Sequence, residues 1–129
     1  MALLEDVSTR LADQGVVGGA TGWTVVRDAM PSGPDQVVVV TETPGEAPGT
    51  RTEIDRPHLQ ARTRGAEDAG RSAARSKAGD VYDALHGFTG TIDGTYYIGI
   101  YAMQTPFFLR VDENDRYEYG VNFRILRSR

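Results

Sequence analysis

The C-terminal third of the chain reads VYDALHG at residues 81–87 and YYIGIYAMQTPFFLRVDENDRYEYGVNFRIL at residues 96–126. The first piece has the pattern of a helix that stops at Gly87, because glycine readily adopts the left-handed conformation that ends helices. The second piece predicts two alternating strands joined by the acidic turn at residues 112–115. Nine of the eleven aromatic residues lie after Gly87. This part of the chain is therefore expected to supply most of the bulky core and to decide the fold.

The sequence before this region predicts two helices and three more strands. Leu4, Val7 and Leu11 lie three and four residues apart and predict a helix over residues 2–14. The turn formers PSGPDQ predict a hairpin between the first two strands. The strands are predicted at residues 23–30, 37–42 and 57–64, and the second helix at residues 67–86. That helix carries a stripe of largely small residues, which should let it approach the sheet closely: Ala74, Ala78, Val81 and Leu85. The expected fold is α+β, a single domain over residues 1–129 of order αβββαββ, with two helices packed on one face of a mainly antiparallel or mixed sheet.

Two of the predicted strands carry apolar side chains on both faces. One is the valine run that begins at Val37. The other begins at Tyr96, with Tyr96 and Ile100 predicted on one face and Tyr97 and Tyr101 on the other. Two helices can cover only one face of a sheet of this size, and large apolar patches are seldom left in water. We therefore expect part of the other face to contact another subunit.

Polar and charged residues in two places are candidates for that contact. The connection at residues 44–56 is long for a compact domain and rich in Pro, Gly and charge, which is typical of a functional or disordered loop. The other candidates lie on the polar sides of the strand at residues 57–64 and of the last strand. The predicted interface residues are Glu46, Arg51, Glu53, Arg56, Arg62, Arg64, Glu118, Asn122 and Arg124.

The composition excludes several classes of function. A net charge of −4 argues against a protein whose main partner is nucleic acid, because phosphate binding needs clustered Lys and Arg. The chain has no cysteine, which removes disulfides and thiolate chemistry. No apolar run approaches the roughly 20 residues that cross a membrane. His58 and His86 lack the spacing of a catalytic metal site. We therefore predict no enzyme activity, no cofactor, no metal site and no membrane contact.

Four short motifs carry a family resemblance that extends from LLEDV in the first helix to NFRI near the end of the chain. In this order and spacing, the chain resembles the minor capsid and tail terminator proteins of long-tailed bacteriophages. The motifs are VYDALHG at residues 81–87, QTPF at residues 104–107, DEN at residues 112–114 together with Arg116, and VNFR at residues 121–124.

The resemblance implies a structural protein of the virion, made in the cytoplasm of the host bacterium. Such subunits are expected to assemble with copies of themselves into a ring, usually a hexamer, which caps the tail tube and joins it to the head-tail connector or stopper protein. DNA would only pass through the channel. Two alternatives stay open: another neck protein, such as a head-completion or stopper ring, or a monomeric α+β domain that binds a small ligand or regulates an enzyme.

Overall fold

The computed structural model describes residues 3–46, 54–66 and 70–128. In chain order, the helices and strands of this described part are α1 (Leu3–Asp13), a short 3-10 helix (Gly19–Thr21), β1 (Thr24–Arg27), β2 (Val37–Thr43), β3 (Ile54–Asp55), β4 (His58–Arg64), α2 (Gly70–Leu85), β5 (Phe88–Ile92), β6 (Thr95–Ala102), β7 (Phe107–Val111) and β8 (Tyr117–Ser128).

Helix α1 is amphipathic, as the sequence predicted. Leu3, Val7 and Leu11 lie one turn apart and are fully buried. The helix is followed by Gly15, whose φ of 72° is in the left-handed region. Because a side chain is strained there, glycine is the residue that best lets the chain turn away from the helix. The apolar stripe therefore fixes which side of α1 faces the sheet.

Helix α2 approaches the sheet closely because its buried stripe begins with two alanines. Ala74 and Ala78 are at most 1% exposed, and Val81 and Leu85 continue the stripe. The hydroxyl of Thr63 on β4 donates a 2.7 Å hydrogen bond to the carbonyl of Ala74. A side chain from the sheet can reach the helix backbone only because no large side chain separates them. The predicted stripe of small residues is confirmed.

The strands form one mixed sheet of order β1-β2-β4-β8-β6-β5, and β3 and β7 also pair with β8. All pairs are antiparallel except β1–β2. The predicted α+β class, with a mixed sheet and two helices, is confirmed. The order differs from αβββαββ by three added strands. Of these, β3 has only two residues, and β5 is interrupted by Gly90, which shifts its register.

The predicted hairpin between the first two strands is wrong. β1 and β2 run parallel, with Thr24 opposite Val37 and Arg27 opposite Val40. The chain leaves β1 at Asp28, whose φ of 70° turns it, and returns through residues 29–36 to begin β2 beside the start of β1. The turn formers at residues 31–36 correctly indicated that the chain changes direction between the two strands. They could not indicate that it does so twice, which is what makes β1 and β2 parallel.

The sheet has two different faces. The helix face carries the buried core residues that alternate along the central strands, among them Val38, Val40, Leu59, Ala61, Tyr119, Val121, Phe123 and Ile125. The predicted alternation of the last strand is confirmed on this side. We call the opposite side the open face. Toward one end this face is closed, because Val37, Val39, Arg64 and Glu118 are buried. Toward the other end it carries Thr41 on β2, Gln60 on β4, and Asn122 and Arg124 on β8, none of which is fully buried.

The predicted division of side chains between the two sides of β6 is wrong. The sequence placed Tyr96 and Ile100 on one side and Tyr97 and Tyr101 on the other. In the structure, Tyr97 and Ile100 are both fully buried, whereas Tyr96 and Tyr101 are exposed. The pairing of β6 with β8 shifts between Tyr97 and Gly99. Such a bulge inserts one residue and thereby inverts the alternation beyond it.

Candidate functional site

The register of the sheet brings the two predicted polar rows together on the open face. Gln60 pairs with Asn122, His58 pairs with Arg124, and Arg62 pairs with Gly120. On the other side of β8, Arg124 pairs with Tyr101 of β6. Residues that lie about 60 positions apart in the chain therefore form one continuous surface across three strands.

The base of the predicted 44–56 loop lies at the end of this surface. The backbone amide of Glu46 donates a 3.1 Å hydrogen bond to the carbonyl of Arg56, which closes the loop. The Glu46 carboxylate lies 3.6 Å from Nε2 of His58. A shallow pocket is lined by Glu46, Arg56, Arg124 and Leu126. Two other predicted interface residues, Arg51 and Glu53, lie outside the described residues.

Two of the predicted residues are not part of an exposed row. Arg64 is 1% exposed and Glu118 is 3% exposed, although they pair across β4 and β8 as expected. The guanidinium of Arg64 donates hydrogen bonds to the carbonyls of Pro31, Pro34 and Asp35. The expectation that Arg64 points to solvent is wrong because residues 31–35 fold over it and use all of its nitrogen atoms.

Arg116 completes this buried network and ties two loops together. Its guanidinium bonds the carbonyl of Ser32 at 2.8 Å, the carboxylate of Asp35 at 2.9 Å and the carboxylate of Asp112 at 2.9 Å. Burial alone would raise the pKa of Asp112, but hydrogen bonds from the backbone amides of Arg116 and Asn114 and from the guanidinium outweigh it and lower the pKa. We call residues 31–35 and 112–116 the paired loops.

Tyr101 contributes a large apolar surface to the open face that the residue-level predictions missed. Its side chain is 38% exposed, and its ring lies directly against Gly99, where no side chain competes for the space. Met103, 55% exposed, follows it in the chain. The signal was present in the sequence, because β6 was predicted to be apolar on both faces. The bulge prevented that signal from being assigned to Tyr101 in particular.

The described residues contain no group of three or more His, Cys, Asp or Glu side chains placed to hold a metal ion. Nδ1 of His86 accepts a 3.0 Å hydrogen bond from the amide of Ala102, and its ring stacks on Tyr82. Within the same described ranges, neither helix has the length and hydropathy needed to cross a bilayer.

Comparison with known proteins agrees with this architecture. The chain is similar to a protein chain in the virion of a native gene transfer agent particle, with a TM-score of 0.69, 22% sequence identity, and coverage of 98% of this chain and 95% of that chain. At this identity, the similarity shows the fold. No curated protein matches the chain by sequence. The profile of the bacteriophage tail terminator proteins matches residues 10–129. The chain therefore belongs to the bacteriophage tail terminator protein family and is a structural component of the phage particle.

Proposed function

We propose that the protein assembles with copies of itself into a ring, expected to be a hexamer, that caps the tail tube and joins it to the head-tail connector. The observation that carries this proposal is the open face. No described helix covers it, and it presents Tyr101, Leu126 and Arg124 together. Tyr and Arg are enriched among the residues that dominate the energetics of protein interfaces. A surface of this composition is well suited to contact another subunit.

A ring of identical subunits requires head-to-tail contacts, so that each subunit presents two different and complementary surfaces. The open face and the loop base at Glu46 and Arg56 form one of these surfaces in our proposal. DNA passes through the ring without tight binding, because a chain with a net charge of −4 provides few sites for phosphate. The role is structural rather than enzymatic. This is supported by the two histidines, which are engaged in local contacts with Glu46 and Ala102.

The proposal is tested by measuring the mass of the purified protein alone and with the tail tube protein of the same phage. Native mass spectrometry is expected to show a closed oligomer under at least one condition. Electron microscopy is expected to show the oligomer at one end of the tubes, whose further growth it stops. Binding to the connector without binding to the tube would instead identify a stopper ring. A monomer in both conditions would refute ring assembly.

Arg124→Glu reverses an exposed charge on the open face and should prevent assembly while leaving the subunit folded. The matched control is Arg75→Glu. Arg75 is also an exposed arginine, but it lies on α2, on the other side of the sheet. Both variants should give the circular dichroism spectrum of the wild type. If Arg124→Glu assembles as well as Arg75→Glu does, the open face around β8 is not a subunit contact.

A further inference from the structure

The paired loops lie before the start of β8 and are held together by two arginines. Arg64 and Arg116 anchor residues 31–35 through four backbone carbonyls and one carboxylate, and Arg116 also holds Asp112. Buried charges of this kind are seldom the most stable solution for a core. What they do provide is a fixed conformation of two surface loops, which lowers the entropy lost when those loops bind a partner. A defined shape at this position therefore suggests a contact surface.

The charges left unpaired on the paired loops are negative. Arg116 pairs with Asp35 and Asp112, and Arg110 pairs with Glu118. Glu113 and Asp115, at the tip, are exposed and make no ion pair within the described residues. The paired loops therefore present two carboxylates to solvent.

On the open face, two arginines toward the other end of β8 have no ion pair with a described residue. His58 faces Glu46, and Arg127 faces Asp55. Arg124 is exposed, and Arg56 is half-buried beside it; neither has an ion pair with another described residue. Tyr117 and Arg124 are seven residues apart on β8, which at about 3.3 Å per residue separates the two ends by roughly 23 Å. Complementary unpaired charges thus lie well apart along the direction of β8.

From this arrangement we propose that Glu113 and Asp115 of one subunit dock against Arg124 and Arg56 of the next copy of the chain. The inference rests on the proposed ring and specifies its contact. A head-to-tail contact requires two different surfaces on each subunit, so that the same contact can repeat from subunit to subunit. The acidic residues and the arginines lie apart along β8 and provide two such surfaces. Opposite charges across such a contact fix its register and speed association more than they raise its affinity.

The test is a charge swap in the full chain. One variant carries Arg124→Glu, and a second carries Glu113→Arg with Asp115→Asn. Asn is chosen because Asp115 has a φ of 60°, a left-handed conformation that Asn tolerates well. Each variant should weaken association about tenfold or more, since like charges across a contact cost several kcal/mol. The variant with all three substitutions should recover part of the assembly, because the pair between positions 113 and 124 is then complementary with its signs exchanged.

The control for these variants is Arg75→Glu with Asp83→Arg, which exchanges two exposed charges on α2. Assembly is measured by analytical ultracentrifugation over a range of protein concentrations, with and without tube protein. Failure of the wild type to assemble in either condition would remove the proposed function and this contact with it. If the wild type assembles, two results overturn the contact alone. The first is normal assembly of Arg124→Glu and of Glu113→Arg with Asp115→Asn. The second is loss of assembly in both of these variants without recovery when all three substitutions are combined.

Discussion

The hydroxyl of Tyr97 on β6 donates a 2.6 Å hydrogen bond to the carboxylate of Asp6 on α1, and both residues are buried. The pair joins the first helix to the sheet across 91 positions of the chain. Tyr97 also pairs with Arg127 in the register of β6 and β8. The helix and the two strands are therefore connected by a buried polar contact, where a lost partner is costly.

Tyr97→Phe should destabilise the protein by about 1–3 kcal/mol, because it leaves the buried carboxylate of Asp6 without its donor while it keeps the ring. The measurement is the free energy of unfolding in urea. Tyr101→Phe is the matched control: its hydroxyl lies on the exposed open face, so its effect should be within about 0.5 kcal/mol. Equal effects of the two substitutions would mean that the buried hydrogen bond does not contribute to stability.

The same pair should make the protein less stable in strong base. Burial, and then the hydrogen bond to Asp6, raises the pKa of Tyr97 above its ordinary value near 10. Because the pKa of Tyr97 is higher in the folded than in the unfolded protein, its protonated hydroxyl contributes fully to the folding free energy below the unfolded pKa. That contribution is lost as the pH rises above about 10. Unfolding measured from pH 8 upward should show this loss. The stability of Tyr97→Phe should decline less over the same pH range. An identical decline would mean that ionisation of Tyr97 does not cause the loss of stability in base.

Arg64→Leu should destabilise the protein by about 3 kcal/mol or more, because three carbonyls of residues 31–35 lose their donor in a buried site. Arg64→Lys should recover little, since a single ammonium group cannot reproduce the planar fork of donors. Urea unfolding provides the measurement, and exposed Arg75→Leu is the control. Wild-type stability of Arg64→Leu would show that residues 31–35 hold their position without Arg64.

Gly99→Ala should destabilise the protein by about 1–3 kcal/mol through overpacking, because its added methyl group would overlap the ring of Tyr101. No positive φ is involved, so the cost is steric. Tyr101→Ala should remove that cost, and the double variant should be more stable than the sum of the single effects predicts. Additive effects in this double-mutant cycle would mean that the ring of Tyr101 does not lie against Gly99.

Features that depend on the alternation of side chains along one strand were predictable. Tyr119, Val121, Phe123 and Ile125 of β8 are buried as the pattern indicated. β8 is paired along both edges, so its two faces keep a regular alternation. The buried side of α1 was predictable from the helical period through Val7 and Leu11, although Leu3 rather than Leu4 completes the fully buried stripe.

Features that depend on distant residues were not predictable. The exposure of Arg64 is decided by residues 31–35, which lie about 30 positions earlier and fold over it. The orientation of β1 against β2 depends on the same segment. A bulge of one residue decides that Tyr97 is buried and Tyr101 is exposed. Gly99 is the local signal for it, because a glycine inside a strand often marks a bulge, but the pattern alone does not show that the alternation inverts there.

Local periodicity and the order of short motifs were enough to predict the helices, the core side of the last strand and the family of the protein. Which charges remain available to a partner depends on contacts between distant segments. Residues 31–35 fold over Arg64, Arg116 reaches Asp35 across 81 positions of the chain, and Arg124 and Glu113 stay exposed. A charge is neutralised by whatever lies beside it in space, and for Arg64 and Arg116 the tertiary fold supplies that neighbour from a segment far away in the sequence.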